Sequence, residues 1–267
     1  MIKLNPVELL VTLAIFSAYI KDERPVSILL VSKVESGKSK LLGKFSGNRG
    51  CEMVGDATAW GIAKHYGKRI RNGDIRHLLF PEMSIPLSRR YDTVSALDAY
   101  LCGLIEEGVG KIVSFRYWEV STVTPTGCGI IACLSNQDFS HKKAAWFRIG
   151  LMSRLIPVSF DYTDVTKNQI RYYIKTRNYR NEDKIELKLP SSQIDIQLPL
   201  PIADQLAIIA GQLIVGTELY GFRWQNHLQR LAMANALLNG RNVVEDTDLA
   251  TIRALSGYFN TDCKKKI

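Results

Sequence analysis

One eight-residue segment has the composition of a phosphate-binding loop. Residues 32–39 read Ser-Lys-Val-Glu-Ser-Gly-Lys-Ser and follow directly after the apolar run Ile28–Val31. This is the pattern G-x-x-x-x-G-K-S with Ser32 in place of the first glycine. Gly37 lets backbone N–H groups curve around a phosphate, and the following helix directs its N-terminal dipole at the same charge. Lys38 would then bridge the β- and γ-phosphates, and the Ser39 hydroxyl would supply an oxygen to Mg²⁺.

The whole segment is therefore expected to bind a nucleotide, together with the residue that follows it. The candidate nucleotide-binding residues are Ser32, Lys33, Val34, Glu35, Ser36, Gly37, Lys38, Ser39 and Lys40. The alternative is a lysine-rich turn, and the serine at the first glycine position keeps that alternative open.

Hydrolysis of a triphosphate also needs an acid at the end of a neighbouring strand. The apolar run Ile75–Phe80 is followed by Pro81 and Glu82, with the proline where an aspartate usually stands. Glu82 would either hold the water shell of Mg²⁺ or polarise the attacking water. Asp74 and Asp92 lie close in sequence and are alternative acids.

A polar residue follows a further apolar run. The run Gly129–Leu134 ends in Ser135 and Asn136. An amide at this place could hold the attacking water or the γ-phosphate. An asparagine after a strand is also a common turn residue, so the prediction depends on its place in the order of strands.

Strand-like runs alternate with helical patterns as far as about residue 178, which predicts a mostly parallel sheet covered on both faces. After Pro201 the pattern is purely helical, over about 202–219, 222–238 and 247–258. The sequence thus predicts an α/β P-loop core over residues 1–185 and an α-helical domain over residues 186–267.

Composition limits the setting of this fold. Lys and Arg number 35 against 26 Asp and Glu, and the resulting charge of +9 suits an anionic partner such as nucleic acid or nucleotide phosphate. Five cysteines without a CxxC pair predict neither a disulfide framework nor a zinc ribbon, and they favour a reducing, cytoplasmic location. The apolar run Val7–Ile20 is shorter than the roughly 20 residues of a membrane-spanning helix, so we expect no membrane association.

The order of these features resembles the AAA+ ATPases. It runs from the P-loop and the two polar strand ends, through residues 150–157, to a helix that begins at Gly221-Phe222-Arg223. Residues 222–248 look like the helical lid of minichromosome-maintenance helicases and MoxR-type ATPases, and Glu106-Glu107-Gly108-Val109 is similar to compact phage and mobile-element ATPases. The resemblance covers about residues 25–258.

The resemblance implies a set of roles for an ATP- and Mg²⁺-dependent ATPase that works as a ring or helical filament of identical subunits. Glu82 is implied as the acid at the end of the neighbouring strand and, together with Ser39, as a residue of the metal site. Asn136 is implied as the first sensor, a polar residue that contacts the γ-phosphate or the attacking water. Arg154 matches the arginine finger that reaches the nucleotide of a neighbouring subunit, with Arg148 as its main competitor. Arg223 matches the second sensor, an arginine of the C-terminal helical lid that contacts the nucleotide.

The implied output is DNA translocation, unwinding or loading. The stretch 111–123 is predicted to be a β-hairpin, and in the resembled helicases a hairpin at this place touches DNA in a central channel. Its candidate contacts are Lys111, Arg116, Tyr117 and Trp118, which combine positive charge with stacking surface.

Two other functions stay open. One is an ATP-gated oligomeric adaptor on DNA or protein with little hydrolysis, which the departures at Ser32 and Pro81 favour. The other is a chaperone that remodels a protein partner. If hydrolysis occurs, losing one hydrogen bond to a charged group at either departure predicts turnover slowed by roughly ten- to a hundredfold.

Overall fold

A computed structural model describes residues 5–108, 111–113, 119–121, 127–177, 184–217 and 219–260. The strands are β1 (Ile28–Ser32), β2 (Gly50–Met53), β3 (Ile75–Phe80), β4 (Lys111–Val113), β5 (Glu119–Ser121), β6 (Gly129–Ser135) and β7 (Ile156–Ser159). The helices are α1 (Asn5–Ser17), α2 (Lys38–Gly43), α3 (Ala59–Arg71), α4 (Ser84–Leu87), α5 (Tyr91–Glu106), α6 (Asn136–Arg148), α7 (Asp164–Lys175), α8 (Leu200–Leu213), α9 (Phe222–Leu238) and α10 (Asp246–Leu255).

The protein is an α/β protein with a five-stranded, all-parallel sheet. The strand order is β2-β3-β6-β1-β7, and every neighbouring pair is parallel. Such a sheet is consistent with a P-loop-like core. Because β6 lies between β1 and β3, the carboxyl ends of these three strands lie side by side at one edge, called here the carboxyl edge.

The central strands β1 and β6 are buried on both faces, which explains why they are almost entirely apolar rather than alternating. In β1, Ile28 and Leu30 face one hydrophobic core, whereas Leu29 and Val31 face the other. The first core also contains α1, α2 and the C-terminal helices, and the second contains residues of α3, α5 and α6.

The helices after residue 199 share the first core with the N-terminal helix. α1 packs along α9, and Leu10, Leu13, Leu228 and Leu231 are completely buried there. The predicted division at residue 185 therefore separates two groups of helices that bury a common surface. Residues Ile194 and Gln197 tie the connecting segment to Ile20 and Val243 through single β-bridges.

The short strands β4 and β5 form the predicted antiparallel hairpin, with Ile112 opposite Val120. Within the described ranges, no helix combines the length and the apolar character needed to cross a bilayer. The four described cysteines (Cys51, Cys102, Cys128 and Cys133) carry free thiols.

Candidate functional site

The predicted P-loop, residues 32–39, lies at the carboxyl edge, between β1 and α2. Gly37 precedes the first helical residue and has a φ of 78°, in the left-handed region that a glycine adopts without a Cβ clash. Glu35 is also left-handed, with a φ of 63°. These two left-handed residues turn the backbone sharply between β1 and α2, as a phosphate-binding loop requires.

Lys38 is folded into this loop. Its ammonium group donates to the carbonyl oxygens of Ser32 and Lys33, at 3.0 and 2.8 Å, and to the Ser36 hydroxyl at 3.0 Å. These three acceptors use all three N–H donors of the lysine. A phosphate oxygen of a bound nucleotide could take the place of one of them without unfolding the loop.

Burial lowers the pKa of Lys38, and the nearby Cys133 and Glu82 oppose that shift. Burial raises the pKa of the Cys133 thiol to about 12, so this thiol is neutral near pH 7. The Glu82 carboxylate is therefore the neighbouring group whose negative charge favours the ammonium form of Lys38.

Ser32, at the first glycine position, is hydrogen-bonded to the segment that follows β7. Its hydroxyl donates to the carbonyl oxygen of Phe160 at 2.9 Å, so the side chain points toward the end of β7. The same segment contacts the loop twice more, because the Tyr162 hydroxyl donates to Ser36 O at 2.5 Å and Asp161 pairs with Lys33 at 2.7 Å.

Sequence reasoning missed these contacts of residues 160–162 with the P-loop. The signal was available, because residues 160–162 directly follow β7 and the carboxyl ends of adjacent parallel strands meet at one edge. Asp161 and Tyr162 are the polar residues that β7 contributes to that edge.

Ser39 contacts the residue that follows β3. Its hydroxyl donates to the carbonyl oxygen of Pro81 at 2.6 Å. Donation uses only the hydrogen, so the lone pairs of the Ser39 oxygen are left to ligate a cation. Glu82 follows directly, is exposed, and accepts from the Ser84 hydroxyl at 2.6 Å. The sequence analysis did not identify Ser84, which orients this carboxylate.

Asn136 lies beside the loop as the first residue of α6. Its neighbour Ser135 pairs in register with Ser32, and the Ser135 hydroxyl caps the helix by accepting from the amide of Asp138 at 3.0 Å. The Oδ1 atom of Asn136 is enclosed and has no hydrogen-bond partner within the described part of the chain. A buried acceptor of this kind is suited to a water molecule.

The two alternative acids lie on different elements. Asp74 precedes β3 directly and so lies at the amino edge, away from the P-loop. Asp92 is in the first turn of α5. Of the acids considered, Glu82 is the one that the Ser39–Pro81 contact brings next to the loop.

Arg154 and Arg223 are together at the amino edge. Arg154 precedes β7 by two residues, and its side chain is 12% exposed, donates to Gly150 O at 2.8 Å and lies 3.7 Å from Glu106. Arg223 donates to the same Glu106 at 3.1 Å and to the Ser153 hydroxyl at 2.9 Å. Four residue steps of β1, about 13 Å, separate this edge from the loop, so neither arginine reaches the P-loop of its own chain.

The remaining candidates differ in placement. Val34 is 76% exposed at the tip of the loop, and Lys40 is exposed on α2. Arg148 is exposed at the end of α6. Arg116, Tyr117 and Trp118 lie outside the described residues, as does the side chain of Lys111.

The residues present fit a nucleotide with Mg²⁺ better than a metal bound by the protein alone. Among the described residues, no three His, Cys, Asp or Glu side chains come together to hold a metal ion. Mg²⁺ is commonly held by one or two protein oxygens plus substrate phosphates and waters. Ser39 and Glu82 supply such oxygens, and Lys38 and the loop amides supply the phosphate contacts.

Comparison of the sequence with models of protein families and with curated proteins found no match.

Proposed function

We propose that this chain binds ATP with Mg²⁺ at the carboxyl edge of the sheet and hydrolyses it. The observation that carries the proposal is the placement of Lys38 and Ser39. The buried ammonium of Lys38 lies inside a left-handed loop, and the adjacent hydroxyl contacts the strand end that bears Glu82. A lysine-rich surface turn would expose its lysine, whereas Lys38 is 8% exposed.

Each side chain has a distinct part in the proposed reaction. Lys38 and the loop amides neutralise the phosphates, Ser39 offers an oxygen to the metal, and Glu82 accepts a proton from the attacking water or holds the metal's water shell. Asn136 accepts a hydrogen bond from that water through its unpaired Oδ1. Mg²⁺, when bound with ATP, supplies neutralisation of the charge that develops on the phosphoryl oxygens.

The finer proposal is an AAA+-type ATPase with its nucleotides at the interfaces of a homo-oligomer, driving DNA translocation, unwinding or loading, with α8–α10 as the C-terminal helical lid. Because Arg154 and Arg223 lie at the amino edge, an arginine finger from this edge would act on the nucleotide of a neighbouring subunit rather than on the chain's own. The burial of Arg154 beside Glu106 favours its exposed competitor Arg148 as the arginine finger.

An ATP-gated adaptor with little hydrolysis is the second candidate. The specific observation in its favour is at Pro81, where the Ser39 hydroxyl meets a backbone carbonyl instead of an aspartate carboxylate. A carbonyl carries no full charge, so it supports the metal less strongly than a carboxylate would.

The deciding experiment measures ATP binding and turnover for the wild type, Lys38→Ala and Lys33→Ala. Lys33 is the matched control, because only its backbone contacts Lys38, whereas its side chain pairs with Asp161 at the surface. We expect Lys38→Ala to weaken ATP binding at least tenfold and to abolish turnover, with Lys33→Ala within threefold of the wild type.

Binding without turnover in the wild type would favour the adaptor. Equal loss in the two lysine variants, or no ATP binding by the folded wild type at millimolar ATP and Mg²⁺, would refute the nucleotide site. ATP turnover and ATP binding of Arg148→Ala and Arg154→Ala distinguish the two candidates for the arginine finger. Loss of the finger should abolish turnover but keep ATP binding, and a thermal melt establishes that each variant is folded.

A further inference from the structure

The outer face of α3 carries a row of one aromatic and three basic side chains. Trp60, Lys64, Lys68 and Arg71 are spaced at i, i+4, i+8 and i+11, which places them along one side of the helix. The opposite side buries Ile62, Ala63 and Ile70 against the core. At 1.5 Å per residue the row is about 16 Å long.

The charge of this row is not balanced within its helix. The 13 residues of α3 contain Lys64, Lys68, Arg69 and Arg71 but no Asp or Glu. Arg69, beside the row, is paired with Glu52 at 2.9 Å. Basic residues in a last helical turn stabilise the helix dipole, which accounts for Lys68 and Arg71. It does not account for Lys64, which lies in the middle of the helix.

Trp60 adds stacking surface to the positive charge. Its side chain is 45% exposed, and the Lys64 ammonium lies 4.4 Å from the centre of its ring. An exposed indole beside a cation is the combination on which unpaired bases stack while their phosphates are neutralised.

The row also begins on the carboxyl-edge side of the sheet, where the proposed nucleotide site lies, because α3 follows the carboxyl end of β2. Trp60 is in the first turn of α3, which starts after Asp56 and Thr58. Asp56 is ion-paired with Arg89, which follows α4 and so lies shortly after Glu82 and Ser84 in the chain. This ion pair joins the segment that leads into α3 to the segment that bears Glu82.

We propose that the α3 row, defined as Trp60, Lys64, Lys68 and Arg71, binds single-stranded nucleic acid. This inference rests on the proposed function, because that function is the reason to expect a nucleic acid rather than another polyanion. The residues of the row, however, are not part of the P-loop. Basic residues on the exposed face of α7 are less suited to the task, because Lys167 there is paired with Asp164 at 2.9 Å and Arg171 donates to Asn168 at 3.3 Å.

The test measures binding of the full chain to a fluorescent 20-nucleotide oligo(dT), the matching oligo(U), and a 20-base-pair DNA duplex, by anisotropy at several salt concentrations without ATP. The variant is Lys64→Glu/Lys68→Glu. Its matched control is Arg171→Glu/Lys175→Glu, which makes the same change of charge on another exposed helix. Circular dichroism melts establish that each variant is folded, and Lys64→Gln/Lys68→Gln replaces the glutamate pair if that pair unfolds.

We expect the α3 pair to weaken oligo(dT) binding at least tenfold and to reduce the salt slope by about 1.4, since each phosphate contact on a single strand contributes about 0.7. The α7 pair should change affinity less than threefold. Trp60→Ala should weaken single-strand binding about tenfold and duplex binding much less. Preference of oligo(U) over oligo(dT) would identify RNA as the strand.

Equal losses for the two helices, loss with α7 alone, or a wild type that binds no single strand would each overturn the inference. The Lys38→Ala variant separates this result from the proposed function. If it loses ATP but keeps oligo(dT), the two sites are distinct, and a wild type that binds oligo(dT) through α3 but no ATP would refute the nucleotide site alone. If the wild type hydrolyses ATP and the Lys64→Glu/Lys68→Glu variant binds oligo(dT) as tightly as the wild type, the α3 row is refuted but the nucleotide site is not.

Discussion

At the scale of single residues, the contact between Ser39 and Pro81 makes a specific prediction about the metal. Ser39→Ala removes a neutral hydroxyl, so the phosphate contacts of Lys38 stay in place while the cation loses an oxygen. We expect ATP binding to fall roughly ten- to a hundredfold in Mg²⁺ and to change little in EDTA. Titration of labelled ATP under both conditions measures this, with the exposed Ser140→Ala on α6 as the control. A loss of the same size in EDTA would mean that Ser39 only supports the loop.

Glu82 and Ser84 give a second prediction at this scale. Glu82→Gln keeps the shape of the side chain but removes the base, so ATP binding should be retained and turnover reduced at least a hundredfold. Ser84→Ala leaves the carboxylate and removes only its 2.6 Å donor, so turnover should fall about tenfold or less. Steady-state turnover beside ATP titration separates the two effects. Full activity of Glu82→Gln would shift the role of the acid to another residue, of which Asp92 is the first to test.

At the scale of elements, the sequence predicted the buried strands more accurately than the helices. Ile75–Phe80 and the helix Phe222–Leu238 were predicted with their observed bounds. β2 was missed, because it has four residues and three of them are only half-buried, which leaves no apolar run to detect. The full length of α3, as far as Arg71, could not be predicted from sequence, since its basic last turns hide the apolar periodicity.

The candidate site was likewise predictable only in part. The P-loop, Glu82 and Asn136 could be placed from sequence because each directly follows a strand, and parallel strands bring their carboxyl ends to one edge. The partners of Arg154 and Arg223 could not be predicted. They depend on how α5 and α9 pack at the other edge, and Glu106, which joins the two arginines, is separated from Arg223 by 117 residues.

The start of α10 carries a prediction about stability. Asp248 is completely buried, receives two hydrogen bonds from Arg241 at 2.7 and 2.8 Å, and accepts from Asn235 at 2.6 Å. Asp248→Ala leaves the guanidinium and the amide without their acceptor, so the free energy of unfolding should fall by about 3 kcal/mol or more. Asp246→Ala, exposed in the same turn, should cost well under 1 kcal/mol. Urea unfolding measures both, and equal costs would contradict a structural role for the Asp248 network.

At the scale of the whole molecule, the shared core of α1, α9 and the sheet predicts one cooperative unit. Trp146 of α6 is buried in the core that also contains α3 and α5, and Trp224 of α9 is buried in the core that contains α1. If the helices after residue 199 formed an independent lid, they would unfold separately. We expect the urea transitions followed by tryptophan fluorescence and by far-ultraviolet circular dichroism to superimpose. Two separated transitions would instead support the predicted division at residue 185.

Two buried histidines predict how the stability of the whole chain depends on pH. Burial lowers the pKa of His77 and of His227 to about 4, and each ring makes one hydrogen-bond contact, to Val26 O and Ser153 O respectively. The unfolded chain takes up these protons near the ordinary pKa of about 6.5, so the unfolded state binds more protons between the two values. The free energy of unfolding is therefore highest above about pH 6.5 and falls as the pH drops toward 4.

The loss should approach about 3 kcal/mol for each histidine, from 1.36 kcal/mol per pH unit. Burial raises the pKa of Asp98, which acts in the opposite direction and reduces the net loss. Urea unfolding at pH 7, 6, 5 and 4 measures the slope. His227→Asn should remove about half of the histidine contribution, whereas His65→Asn/His141→Asn, on exposed helix surfaces, should leave the slope unchanged. A slope that follows the exposed pair would place the acid sensitivity at the surface instead of in the two cores.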